Sequence, residues 1–250
     1  FKLSTGDSES LTIKGCIIRN NKIQAVVSDN FLVLVDAVTN SNPAKISLQS
    51  NTFTSNSALS SPSNTTTLLT ILNTPLSTLS KNTFTSNPPR PNDIPTTDPT
   101  PLNPFTHIIH TQQPLTHPHA LSSTHTATIT SNSFIRNTTK QHLLKLTHGQ
   151  SQSQAATTTK VVLDRNAFIA NFVPPLHAMV FTHAIGSLLV MTCRFESNHG
   201  TVVVSDGDVV VMYGSDIVGN SADLVNQAFV WGGYEQLFVV KNRFVRNYFV

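Results

Sequence analysis

The chain has 250 residues, with 16 Lys and Arg against 13 Asp and Glu, and charged residues make up only 12% of it. This composition excludes a coiled coil, a charge-rich helical protein and a strongly basic nucleic-acid binder, so no nucleic-acid partner is expected. A hydrophobic share of 39% argues against full disorder. The length fits one domain or one extended array spanning 1–250.

In chain order, one unit recurs eight times. It reads apolar-x-apolar-x-x-(Asn/Cys/Ser)-x-(Phe/Ile)-x-x-Asn. The first copy runs through Leu11, Ile13 and Cys16 to Ile18 and Asn21. The second uses Ile46, Leu48, Asn51, Phe53 and Asn56, and the third Ser77, Leu79, Asn82, Phe84 and Asn87. The fourth has Ala127, Ile129, Asn132, Phe134 and Asn137, and the fifth Val161, Leu163, Asn166, Phe168 and Asn171. Then come Leu188, Val190, Cys193, Phe195 and Asn198, followed by Val210, Met212, Ser215, Ile217 and Asn220. The last copy is Leu237, Val239, Asn242, Phe244 and Asn247. Given 14 Phe and 22 Asn, chance alone would give about one Phe-x-x-Asn, whereas six occur.

The first half of each unit alternates with period two, the pattern of a strand with one buried face. The closing Asn is expected to make a sharp turn in the left-handed conformation. Segments between the motifs supply further strands at Ile23–Val27, Phe31–Val35, Thr201–Val204, Val209–Met212 and Ala228–Trp231. Strands recurring at spacings down to 22 residues predict a solenoid with Phe stacked on Phe and Asn laddered on Asn.

This unit resembles the coil of a right-handed parallel β-helix of the pectate-lyase-like superfamily. Its Phe-x-x-Asn signature resembles the repeats of polymorphic outer membrane proteins, found in bacterial surface autotransporters and related proteins of some protists. The resemblance runs over residues 11–250 and implies an all-β, right-handed solenoid of about eight coils. The family's companion Gly-Gly-Ala-(Ile/Leu/Val) segment is missing; Gly232-Gly233-Tyr234 comes nearest to it.

Three stretches read as loops. Residues 88–118 hold nine of the 14 prolines, and a long Pro-rich insertion is expected at about 88–125. The Ser/Thr-rich 57–76 and the Gln/Ser/Thr-rich 148–160 look like smaller ones. No polar cap follows Asn247, which suggests that the chain continues past Val250. Phe1 in place of Met suggests a fragment or a processed chain. No leader is visible at the start and no apolar run is long enough to span a membrane.

Enzymes on the resembled fold cluster carboxylates. Here the tight pair is Asp206 and Asp208, with Asp216 and Asp223 in the next coil. These four are the candidate catalytic residues if the chain is a lyase or hydrolase; the alternative for Ser205-Asp206-Gly207-Asp208 is a plain turn. His107, His110, His117, His119 and His125 cluster around the prolines, where adventitious metal capture is the stronger reading, so no metal or cofactor is expected. His199 precedes Gly200 in a faint echo of a hydrolase dipeptide, and His183 reads as a satisfied half-buried residue. Cys16 and Cys193 share one column several coils apart, too far for a disulfide. Lys14, Lys81, Arg165, Lys241 and Arg243 make a weak basic strip. Asn64 and Asn137 fit the glycosylation acceptor pattern.

The leading expectation is a non-catalytic, extracellular or cell-surface scaffold. Its neutral Ser/Thr/Asn faces would bind carbohydrate or cell-surface proteins, with Tyr213 or Tyr234 as a stacking platform. The alternatives are an enzyme acting on acidic polysaccharide and a structural spacer of a larger surface protein.

Overall fold

The computed structural model describes residues 2–5, 10–23, 29–37, 45–58, 65–72, 76–88, 104–113, 125–148, 159–222, 230–233 and 235–249. Among them there is no helix; the protein is all-β. Three sheets dominate, each of eight strands, and all their pairings are parallel. The first contains Lys2–Thr5, Asp29–Ala37, Thr65–Leu72, His107–Gln113, Leu144–His148, Ala178–His183, Thr201–Ser205 and Val230–Trp231. The second contains Ser10–Lys14, Lys45–Gln49, Leu76–Ser80, His125–Thr130, Thr159–Asp164, Ser187–Met191, Val209–Tyr213 and Gln236–Val240. The third contains Ile17–Arg19, Thr52–Thr54, Thr83–Thr85, Ser133–Ile135, Ala167–Ile169, Arg194–Glu196, Asp216–Val218 and Arg243–Val245. The chain visits first, second and third sheet in turn and comes back one strand further along, which is consistent with a parallel β-solenoid.

Each motif copy contributes one strand to the second sheet and one to the third. Alternation decides which side chains point inward. Ile46 and Leu48 are buried while Ser47 and Gln49 are half-buried, and the same pattern holds in Ser187–Met191 and Val209–Tyr213. The register runs Ile13, Leu48, Leu79, Ile129, Leu163, Val190, Met212, Val239 without a slip. A slip of one residue would turn this whole row outward.

In the third sheet Ile18, Phe53, Phe84, Phe134, Phe168, Phe195, Ile217 and Phe244 form one row. The rings from Phe53 to Phe195 stack at 4.7, 5.0, 4.9 and 4.7 Å, with planes within 10°. These spacings equal the distance between neighbouring strands, so the sheet itself sets the stack. Each aromatic pair adds about 0.5–1.5 kcal/mol to the gain from burial.

Beside the rings run two polar ladders. In one, Asn21, Asn56, Asn87, Asn137, Asn171, Asn198 and Asn220 each donate from Nδ2 to Oδ1 of the next, ending at Asn247, at 2.9–3.1 Å. The same Oδ1 also accepts the backbone N–H of the preceding Asn. From Asn56 onward, the second Nδ2 hydrogen goes to the carbonyl of the Phe or Ile one strand back. A primary amide has two donors and two acceptor sites, and these contacts fill all four. That balance is why Asn87, Asn137 and Asn198 sit fully buried at little cost.

The second ladder runs through Asn51, Asn82, Asn132 and Asn166. Asn166 then donates to Cys193 Sγ at 3.9 Å, the Cys193 N–H donates to Ser215 Oγ, and the Ser215 N–H donates to Asn242 Oδ1. Cys193 and Ser215 thus replace Asn as smaller acceptors. Both cysteines are free thiols, and burial raises that of Cys193 to about 11.

The left-handed residue is not the Asn, as its turn propensity predicts, but the residue before it. In the first corner it is Gly15, Ser50, Lys81, Ser131, Arg165, Thr192, Gly214 and Lys241; in the second it is Asn20, Ser55, Ser86, Arg136, Ala170, Ser197, Gly219 and Arg246. The corner bends at an outward residue whose identity is nearly free. The following side chain then turns inward to join the ladder.

Segments expected as loops contain first-sheet strands: Thr65–Leu72 within 57–76, and His107–Gln113 within 88–125. His125–Thr130 and Thr159–Asp164 likewise begin inside or at the edge of the stretches read as loops. Phe105, Ile108 and Ile109 are fully buried there. The Pro-rich residues 89–103 and 114–124 lie outside the described residues.

Candidate binding cleft

Two of the candidate carboxylates share one connection, and a third stands in another sheet. Asp206 and Asp208 lie on the short connection between Thr201–Ser205 of the first sheet and Val209–Tyr213 of the second. Asp216 opens Asp216–Val218 of the third sheet, and Asp223 lies outside the described residues. Asp216 accepts from Arg243 Nε at 2.8 Å, and this hydrogen bond holds its carboxyl below the usual carboxylate range. The carbonyl of Asp208 accepts the N–H groups of Glu235 and Gln236 at 3.0 and 2.9 Å, tying down the next circuit.

Asp206 has a different role. Its Oδ1 accepts the N–H of Ala184 at 2.9 Å, and its Oδ2 takes His183 Nδ1. An ionised carboxylate only accepts, so Nδ1 carries a proton and the pairing orients Nε2 away from Asp206. Ala184 is left-handed, at φ 54°. The carboxylate therefore fastens a strained turn and orients an imidazole whose side chain is 42% exposed. The interaction spans 23 residues, one circuit of the chain. Sequence pattern alone marked His183 as satisfied but not its partner.

Next to this pair is a cleft of about 410 Å³. It is lined by Phe181 and Val204, which are register partners in the first sheet, and by Thr182, Ser205, Asp206, Gly232 and Gly233. Thr182 Oγ1 donates to Ser205 Oγ at 2.8 Å, and Ser205 Oγ accepts the Gly207 N–H, so these hydroxyls are engaged within the wall. At Gly232, φ is +156° and an added Cβ would lie 1.5 Å from the Ser205 carbonyl oxygen, so nothing but Gly fits. An added Cβ on Gly233 meets nothing within 4 Å. The two glycines of Gly232-Gly233-Tyr234 thus form part of the cleft's lining.

Further along the same sheet is a row of buried imidazoles. His107 donates from Nδ1 to the His142 carbonyl at 3.1 Å, and the Ala178 N–H donates to His142 Nδ1 at 3.0 Å. His142 stacks on Phe181 at 4.1 Å and meets His177 edge-on at 4.8 Å. Burial lowers His107 to about 2, His142 to about 3 and His110 to about 4, so all three are neutral at pH 7. His107 and His110 are therefore strand residues, while His117 and His119 lie outside the described residues. Among the described residues no three His, Cys, Asp or Glu side chains are grouped to hold a metal ion.

The remaining candidates are dispersed. His199 stacks on Phe172 at 4.8 Å, with its Nδ1 at 3.2 Å from Ser221 Oγ. Tyr213 is exposed, with Lys241 Nζ 5.4 Å from its ring centre; Tyr234 lies outside the described residues. Lys81, Arg165 and Lys241 share the first corner column, whereas Arg243 pairs with Asp216. Asn137 is fully buried in the ladder and is no glycosylation acceptor in the folded chain; Asn64 lies outside the described residues. No described helix is long and apolar enough to cross a membrane. Compared with known proteins, the chain matches no family model and no curated protein.

Proposed function

We propose that this chain is a non-catalytic binding scaffold of the extracellular space or cell surface. In this reading it is a right-handed parallel β-helix of about eight coils, built like the pectate-lyase-like superfamily with repeats of the polymorphic outer membrane protein type. Right-handedness follows from the general rule that a crossover between parallel strands of one sheet has that hand in about 98% of cases. The observation that carries the functional reading is that Asp216 and Asp206 are each already engaged by other groups of the chain. Asp216 is paired to Arg243 in the third sheet, and Asp206 is committed to Ala184 and His183 between the first and second. An acid and a base acting on one glycosidic bond need to face each other about 5–10 Å apart.

Outward hydroxyls such as those of Ser47, Thr78 and Thr128 on the second sheet support this reading, since they suit carbohydrate or protein partners. Purified chain incubated with polygalacturonate, pectin and neutral polysaccharides should release no reducing ends. It should be retained on immobilised glycans or on cell-surface protein. Turnover of any of these polymers would replace the scaffold with the enzyme reading.

A further inference from the structure

We propose that the cleft bounded by Phe181, Val204 and Gly233, with His183 and Asp206 beside it, is a subsite for a neutral saccharide unit. This rests on the scaffold reading and names its ligand class. Three features argue for it. Phe181 and Val204 supply an apolar lining of the kind on which the C–H face of a sugar ring packs. His183 is held through Nδ1 by Asp206, so Nε2 is an oriented hydrogen-bonding group for a ligand hydroxyl, which can both donate and accept. The His183 ring lies 6.4 Å from that of Phe181, within the span of one sugar ring.

Charge decides between neutral and acidic sugars. Asp206 lines the cleft with its side chain 38% exposed. A uronate carboxylate bound there would face this carboxylate and be repelled. The subsite therefore discriminates against the acidic polymers on which enzymes of the resembled fold act.

Gly233 gives a clean test. Gly233 lines the cleft and a Cβ added there meets no protein atom within 4 Å, so Gly233→Phe adds a ring at the cleft's lining without a clash at Cβ. The full 250-residue chain, Gly233→Phe and His183→Ala would be titrated with cellohexaose, mannohexaose, xylohexaose, chitohexaose and hexagalacturonate. Isothermal titration calorimetry reads binding, and thermal melts confirm folding.

The expected result is binding of at least one neutral hexaose and none of hexagalacturonate. Gly233→Phe should abolish it, and His183→Ala should weaken it about fivefold or more, the worth of one hydrogen bond. If the parent chain binds a neutral hexaose and both variants bind it equally, the subsite is refuted while the scaffold stands. Preference for hexagalacturonate refutes the charge argument. No binding of any hexaose overturns the subsite together with the carbohydrate arm of the scaffold reading.

Discussion

Replacing Asn137 with Ala removes one rung from the middle of the buried amide ladder. Asn137 Oδ1 accepts the backbone N–H of Asn87 at 3.2 Å and Asn87 Nδ2 at 3.0 Å. Its Nδ2 donates to the Phe84 carbonyl at 2.9 Å and to Asn171 Oδ1 at 3.1 Å. Asn171 Oδ1 keeps the Asn137 backbone N–H at 3.0 Å, so that oxygen is not orphaned. The two donors on Asn87 lose their acceptor, and Asn87 is fully buried. An orphaned buried donor costs about 1–3 kcal/mol, so Asn137→Ala should cost about 4 kcal/mol, with a small cavity added.

The same change at Asn247 also removes the acceptor for two donors, at 3.0 Å each, but on a half-buried rung where water can substitute. Its cost should be about 1 kcal/mol. Asn137→Asp sharpens the test. Its carboxylate would face the Phe84 carbonyl and Asn171 Oδ1, both acceptors, so the folded state holds the proton and the folded pKa rises above the unfolded value of about 3.9. The unfolded chain then ionises first, and Asn137→Asp should lose about 1.4 kcal/mol per pH unit as pH climbs above 3.9. Native-state hydrogen exchange at the Asn87 amide reads the local opening energy without assuming two-state unfolding. If Asn137→Ala costs no more than Asn247→Ala, or Asn137→Asp shows no pH slope, the ladder contributes no specific stability and the reasoning fails.

Lys81 and Arg165 occupy left-handed corners at φ 56° and 52°. Lys81→Gly and Arg165→Gly should each raise the free energy of unfolding by about 1 kcal/mol in denaturant titrations, and a loss at both sites would disprove the corner assignment. At Gly200, φ is +116° and a Cβ would sit 2.2 Å from Val173 Cγ2, so Gly200→Ala should cost more than about 2 kcal/mol in a thermal melt. The buried histidines set an acid limit. The unfolded chain takes up protons near 6.5, whereas folded His107, His142 and His110 resist until about 2, 3 and 4. Stability from this group is complete above pH 6.5 and falls by about 1.4 kcal/mol per histidine for each unit below it, until each folded pKa is reached. Denaturation midpoints between pH 7 and 4 measure that slope, and a flat profile would contradict the burial.

Much of this architecture was legible because a solenoid repeats its chemistry in register. The rows through Phe84, Leu79 and Asn87 each recur once per circuit, so spacing alone aligned them. The first sheet was not legible in the same way. Thr65–Leu72 is buried on both faces except at its ends, which removes the period-two alternation that betrays a strand. His107–Gln113 was hidden by the prolines on either side of it. The left-handed corner was placed one residue late because Asn propensity points to the amide, whereas the ladder needs that amide inward and leaves the bend to its neighbour. The cleft was illegible for a topological reason. His183 meets Asp206, and Gly232 meets Ser205, only after a full circuit whose length the motif does not fix.

Pulsed electron-spin distances along the outward row Ser47, Thr78, Thr128, Val162, Leu189 and Val211 test the stacking itself. With one label on Ser47 and the second on Leu189 or Val211, four and five strands away, the register predicts narrow distributions near 19 and 24 Å, a step of about 4.8 Å per strand. Broad distributions, or distances that grow with sequence separation instead of strand count, would contradict it.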